Sequence, residues 1–275
     1  MPSPTVITVS QLSRLIGTPA APVLIDIRID DDFALDPRSI PGSYRHSFRH
    51  IDSLIPKLES KHVVIICHQG QKLSQGAAAI LREAGIHAES LEGGHVAWND
   101  NKQPLATLTD LTNRNDKNRT VWVTRHRPKI DRIACPWLIR RFIDPNALFL
   151  YVEPAEVTAV AEKFNAAAFD VEGVFYTHRG DSCSFDTMLD EFELDIPALR
   201  HLATIIRGAD TGHHELAPES AGLLAASLGL SRMYRDDLAQ LDASMSLYDA
   251  FYRWCRDATN EKHDWPMHTS KTNKE

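Results

Sequence analysis

Four apolar residues, Val63, Val64, Ile65 and Ile66, run without interruption into a cysteine, Cys67. A short polar loop with a single glycine, Gly70, follows, and then a stretch rich in Ala, Ile and Leu that is stopped by Gly85. An unbroken run of β-branched residues is what a strand buried on both faces of a parallel sheet carries. The segment after the loop, 74–85, has the composition and the terminal glycine of a helix. A second apolar run, "APVLIDIR" (21–28), repeats the strand pattern, and "AESLEGGHVAW" (88–98) begins as a strand and turns at Gly93 and Gly94. Strand alternating with helix predicts an α/β fold with a parallel sheet flanked by helices.

The pattern changes at 105–119, "LATLTDLTNRNDKNR", which is polar, rich in Thr and Asn, and without a period. We place a linker there, between a first domain at 1–104 and a second at 120–258. In the second domain 120–125, 147–152 and 173–178 read as strands, and 131–143 and 154–164 as helices. Helices then dominate, at 183–193, 197–207, 218–228 and 234–257. The expectation is a mixed α/β domain ending in several helices, followed by a disordered polar tail at 259–275. A length of 275 residues suits two domains, each with its own core.

The formal net charge is -7 and the pI about 6.0, which disfavours nucleic acid as a partner. No stretch of apolar residues is long enough to span a membrane, and the N-terminus lacks the pattern of a secretory signal. The four cysteines, Cys67, Cys135, Cys183 and Cys255, are scattered and form no CxxC pair, so reduced thiols and a cytoplasmic location are expected.

Cys67 stands at the carboxyl end of a buried strand, where α/β folds place their sites. The loop His68-Gln69-Gly70-Gln71-Lys72 is short enough to curl around the sulfur with its amide groups inward, and the next helix aims its positive end at the same point. These terms, with Lys72, favour a thiolate, and equally a persulfide whose charge lies one atom further out. The plain alternative is an inert core cysteine.

Three stretches of the second domain carry chemistry. "RHRPKIDRIACPWLIRR" (125–141) gathers Arg125, Arg127, Lys129, Arg132, Arg140 and Arg141 around one acid, Asp131. It reads either as an oxyanion site, with Arg125, Arg127, Lys129 and Arg132 as donors, or as a solvated helix face with internal ion pairs. "FYTHRGDSCSFDTMLDEFEL" (175–194) ends a strand on His178. Asp181 or Ser182 can cap the following helix, which puts Cys183 in the first turn, where its pKa would fall, with Asp186 on the same face. "RGADTGHHELAPES" (207–220) brings Asp210, His213, His214 and Glu215 before a helix. His178, Cys183, Asp186, Asp210 and His214 are a chemically legitimate ligand set for a divalent transition metal, zinc or iron, though no compact spacing joins them. Capping and loop hydrogen bonding is the plain alternative.

Residues 5–104 resemble a rhodanese domain, through "LIDIRIDDDF" with Asp26 and Arg28, "IPGS" (40–43), "CHQGQK" (67–72) and "LEGGHVAW" (91–98), in that family's order. The resemblance implies a sulfurtransferase with Cys67 as the persulfide-forming nucleophile, Lys72 as the basic loop residue, and Asp26 and Arg28 bracing the site. It implies a small sulfur donor such as thiosulfate, a thiol acceptor, and no cofactor for the transfer. The sequence departs from the family pattern at Ser39, where His is usual, and at Leu73, which pushes the serine after the loop to Ser74. Residues 120–258 resemble the C-terminal domain of the chromate resistance protein ChrB, through "KIDRIACPWLIRRFIDP", "THRGDSCSFDTML", "LAPESAGLLAASLGLSRMY" and "LYDAFYRWCRDA". That resemblance implies a link to chromate, which shares the shape and charge of sulfate. The expectation is therefore a sulfurtransferase tied to chromate resistance. A non-enzymatic chromate or metal sensor with redox-sensitive thiols is the alternative.

Overall fold

The computed structural model describes residues 5–108 and 111–261. In the first domain, β1 (Val6–Ile7), α1 (Val9–Leu15), β2 (Val23–Asp26), α2 (Asp30–Leu35), β3 (Ser43–Arg45), α3 (Ile55–Leu58), β4 (His62–Ile66), α4 (Lys72–Glu83), β5 (His87–Leu91) and α5 (Gly94–Asp100) follow one another. The strands form one parallel sheet in the order β1-β5-β4-β2-β3. The second domain has a smaller parallel sheet, β7-β6-β8, built from β6 (Val121–Arg125), β7 (Leu148–Val152) and β8 (Ala167–Ala168). Around it lie α6 (Asp131–Leu138), α7 (Val157–Phe164), α8 (Ser184–Glu191), α9 (Pro197–Thr211), α10 (Ser220–Met233) and α11 (Asp237–Arg253). The α/β class expected from the sequence is the class observed. Among the described residues no helix is long and apolar enough to cross a membrane.

The central strands β2 and β4 each serve two cores, because successive side chains on a strand point to opposite faces. Ile25, Val63, Ile65 and Cys67 face one way, onto Ala77, Ala78 and Leu81 of α4. Leu24, Val64 and Ile66 face the other way, with Leu12, Leu91 and Trp98, and this second core runs on without a break into Trp122, Trp137, Phe142 and Phe185 of the second domain. The two domains thus share one core. The buried indoles are also satisfied: Trp98 donates to the Pro104 carbonyl at 2.7 Å, Trp122 to Thr120 Oγ1 at 2.9 Å, and Trp137 to Asp249 Oδ1 at 2.8 Å.

Segment 105–119 is part of this junction. Ser39 and Ala106 exchange backbone hydrogen bonds, Thr107 donates to the Phe192 carbonyl at 3.1 Å, Leu105 and Leu111 are buried, and Asn113 donates to the Val121 carbonyl at 2.7 Å. The residues described there form a packed strap across the interface. Of the expected tail, 262–275 lies outside the described residues.

One strand departs from expectation. Residues 173–178 form no strand. The chain turns with positive φ at Asp170 (51°) and Gly173 (80°), so only Tyr176 returns to bridge Phe169. The third strand of the small sheet is instead Ala167–Ala168, too short to show a period. The helix expected at 131–143 is α6 followed by a π-helical turn at Ile139–Ile143. Pro136 lies inside α6 and has no N–H for the Arg132 carbonyl. The Tyr151 hydroxyl donates to that carbonyl instead, at 3.0 Å.

The domains approach each other tightly at Gly17, whose φ is +74° and where an added Cβ would overlap the Phe142 ring. Gly17→Ala is expected to destabilise the protein by about 1–3 kcal/mol through overpacking, with one common unfolding transition for both domains. Denaturant unfolding followed by tryptophan fluorescence and circular dichroism checks this. An unchanged midpoint would show that the Gly17–Phe142 approach is not part of the native packing.

Candidate functional site

Cys67 directly follows β4 and is 4% exposed. Its Sγ lies 3.1 Å from Ser74 Oγ in the first turn of α4, and Ser74 also donates to the Gln71 carbonyl at 3.2 Å. The serine displaced by one position in the sequence is therefore the one that meets the sulfur. Among the described residues, the amide N–H groups of His68 through Leu73 donate to no protein acceptor, so the loop keeps donors for an anion. The loop is held from below by a dovetail of glycines. Gly70 (φ +67°) leaves no room for a Cβ against the Leu91 carbonyl and the amides of Gly93 and Gly94, and Gly94 (φ +60°) none against the carbonyls of Cys67 and His68. The His95 amide donates to the Cys67 carbonyl at 2.9 Å and the Val96 amide to the His68 carbonyl at 3.0 Å. The "EGGH" turn is thus the seat of the cysteine loop.

Lys72 is exposed at the first position of α4, and Gln69 and Gln71 are exposed on the loop. Asp26 and Arg28 are buried as an ion pair at 2.6 Å. Arg28 also donates to the carbonyls of Asp36 and Arg38, each at 2.8 Å. Its paired donors are spent on the 26–38 segment, so Asp26 and Arg28 brace the strand end beside β4 and take no catalytic place at Cys67.

The basic strip of the second domain is neutralised internally. Arg127 donates to the carbonyls of Ser231 and Tyr234, Arg140 pairs with Asp242 at 2.7 Å, and Arg141 with Asp249 at 2.7 Å. Lys129 is exposed. Arg125 and Arg132 both approach Asp170 Oδ2, at 3.6 and 3.3 Å. Arg125, Arg127, Lys129 and Arg132 do not line one oxyanion site: the ion-pair alternative describes them.

A different cluster forms at the carboxyl ends of β6 and β8. His178 Nε2 lies 3.2 Å from Asp210 Oδ2, 3.5 Å from Asp170 Oδ1 and 3.6 Å from Asp131 Oδ2. Asp131 is fully buried; its Oδ2 accepts the Ser184 amide at 2.6 Å, and Asp170 Oδ1 accepts the Ser184 hydroxyl at 2.8 Å. His178 and Asp210 are thus brought together, with two partners the sequence reading did not choose. Cys183, Asp186 and His214 are not ligands in this arrangement. Cys183 is the N-cap of α8, not a first-turn residue, so Asp181 and Ser182 are not its caps. Burial, then the charges of Asp131 and Asp186, push the Cys183 thiol up, the reverse of the expected fall. Asp186 accepts the Cys183 amide at 3.0 Å and pairs with Arg207 at 3.0 Å, which are structural tasks. His214 is exposed on a short 3-10 turn. Asp131 was passed over as a counter-ion of the basic strip, and Asp170 stood in no motif. Their common signal is position, each just beyond the carboxyl end of a parallel strand.

Residues 8–101 match the model of the rhodanese-like domain family, and residues 122–255 match that of ChrB, C-terminal domain. The two models thus match successive stretches of the chain, the rhodanese-like domain first and the ChrB C-terminal domain second. Protein ChrB of Cupriavidus metallidurans is 39% identical over 132 residues, covering 48% of this chain and 39% of that protein. The chain thus spans about two fifths of the length of this curated relative. The rhodanese-like domain is similar to a rhodanese-related protein from Thermoplasma volcanium (22% identity, TM-score 0.32, covering 37% of this chain and 96% of that one). It is also similar to a human single-domain sulfurtransferase (24%, TM-score 0.31, 36% and 96%).

The ChrB-type cluster sets the protonation of its members. The Asp170 hydrogen bond and the charges of Asp131 and Asp210 raise the His178 pKa from 6.5 to about 9 against the opposing effect of burial. Burial, then repulsion from Asp210 and Asp170, pushes the Asp131 carboxyl well above its usual range. His178 is therefore expected to carry its charge at neutral pH. Its folded pKa exceeds its unfolded value, so the stability it contributes is complete below about pH 6.5 and is lost as pH rises through about 9. NMR titration of the imidazole should give a midpoint near 9. A midpoint near 6.5 would show that the carboxylates do not act on it.

Proposed function

We propose that this protein is a rhodanese-type sulfurtransferase that carries sulfane sulfur as a persulfide on Cys67. The observation that carries this reading is the placement of Cys67 Sγ in a loop with unpaired amides, 3.1 Å from Ser74 Oγ at the start of α4. The Cys67 thiolate attacks the outer sulfur of a donor such as thiosulfate. A sulfur–sulfur bond forms to Cys67, and the donor's own sulfur–sulfur bond breaks, with its electron pair leaving on sulfite. A thiolate acceptor then attacks the terminal sulfur and returns Cys67 as thiolate. The negative charge that moves one atom outward in the persulfide is met by the loop amides and by the N-terminal end of α4. In the thiolate state the Ser74 hydroxyl proton can turn from the Gln71 carbonyl to the sulfur. Lys72, exposed at the loop exit, supplies positive charge along the approach of anionic donors.

The ChrB-type domain supports a link between this chemistry and chromate resistance. The shared hydrophobic core makes the two domains one structural unit, so whatever the second domain binds is presented with the sulfur carrier as a single body.

Thiosulfate:cyanide sulfurtransferase turnover tests the proposal. Cys67→Ser should abolish it, and the single-sulfur mass gain of the wild-type chain on thiosulfate should vanish as well. Ser74→Ala should lower kcat/KM by about tenfold, in keeping with loss of one hydrogen bond to a charged atom. A wild-type chain that neither turns over nor gains sulfur would refute the reading for this donor class.

A further inference from the structure

Asp131 is a costly residue to bury. It is fully buried at the first position of α6, its Oδ1 has no hydrogen-bond partner among the described residues, and two further carboxylates face the same imidazole. A buried carboxylate in such company is unstable unless a positive charge meets it. Nor has it drifted there. The preceding loop is held in a sterically disfavoured form, with positive φ at Arg127 (53°) and at the β-branched Ile130 (35°). Four contacts pin it: Arg127 to the carbonyls of α10's end, Gln240 to the Pro128 carbonyl at 2.8 Å, Tyr248 to the Ile130 carbonyl at 3.0 Å, and the Ile130 amide to Ser227 Oγ at 3.3 Å. Several elements at once thus hold in place a buried acid whose Oδ2 meets the amides of Ser184 and Phe185 and lies 3.6 Å from His178, and whose Oδ1 meets no partner among the described residues.

We infer that Asp131, Asp170 and His178 bind one first-row divalent cation, with Asp210 beside them as a further negative charge. The imidazole nitrogen lies 3.2–3.6 Å from one oxygen of each carboxylate. One donor atom from each of Asp131, Asp170 and His178 lies within 4.8 Å of the other two, and ligands at about 2.1 Å from a shared ion lie roughly 3.0–4.2 Å apart, so these three need only a small contraction. Two carboxylates with one imidazole and no thiolate suit Mn2+ better than a sulfur-preferring ion. The side chain of Asp131 closes the floor, while His178, 40% exposed, leaves the entrance open to solvent. Arg125 and Arg132 hold Asp170 through its other oxygen, as outer groups hold a ligand carboxylate in position. The inference does not rest on sulfur transfer at Cys67.

The experiment uses the full chain after chelator treatment, titrated with Mn2+ and followed by the EPR signal of the free ion and by thermal unfolding. One Mn2+ per chain is expected, with a raised Tm. His178→Ala and Asp131→Asn should each weaken binding at least tenfold, whereas His213→Ala, in an exposed pair with Glu215, should leave it unchanged. Asp131→Asn keeps an acceptor for the Ser184 amide and removes the buried charge, so without metal it should unfold at a higher temperature than the wild type. Absence of Mn2+ binding by a folded wild-type chain overturns the inference. So does binding that survives both substitutions, or a metal-free Asp131→Asn chain less stable than wild type, which would make Asp131 a structural carboxylate already satisfied in the fold.

Discussion

The two faces of β4 set the terms for everything else. Val64 and Ile66 belong to the core that continues into the second domain, while Val63, Ile65 and Cys67 belong to the core under α4. A strand buried on both faces cannot slip by one residue without moving its whole apolar set to the wrong side. That register fixes Cys67 on the α4 side, where Ser74 and the start of the helix meet it, and keeps it away from the face on which the ChrB-type domain packs. The Cys67 thiol and the interdomain packing are therefore separated by the thickness of one sheet, although they depend on neighbouring residues of one strand.

The glycines at 70, 93 and 94 extend the same logic to the loop. Each has positive φ, and Gly70 and Gly94 approach backbone atoms too closely for any side chain. The loop's shape is thus imposed by backbone packing from beneath, which frees its amide groups from any structural task. A site prepared in this way needs little reorganisation when a negative charge arrives, because its donors are already placed and unpaired.

The first domain was legible in the sequence because its signals are local. Apolar runs, one cysteine, a glycine in the loop and a glycine pair after β5 each lie within a few residues of what they build. The second domain was legible in class and in most of its helices, but not in its site. Asp170 follows a strand of only two residues, and the strand expected at 173–178 drew attention to His178 while hiding the carboxylate that meets it. The arginine strip looked like one surface because its members are close in sequence. Their partners, Asp242, Asp249, Ser231 and Tyr234, come from the C-terminal helices more than ninety residues away, and nothing local announces such pairings.

This difference bears on how an anion such as chromate would meet the ChrB-type domain. With Arg127, Arg140 and Arg141 occupied, the basic groups left near its candidate site are Arg125 and Arg132, and both already lean on Asp170. At full ionisation the three carboxylates are matched by His178 and the two guanidinium groups, so the bare site offers an oxyanion little net attraction. A cation held as inferred above would tip that balance toward positive and draw Asp170 toward itself, easing its hold on the two guanidinium groups. Anion binding at this end of the domain would then depend on the cation, because the arginines beside the cluster are already engaged.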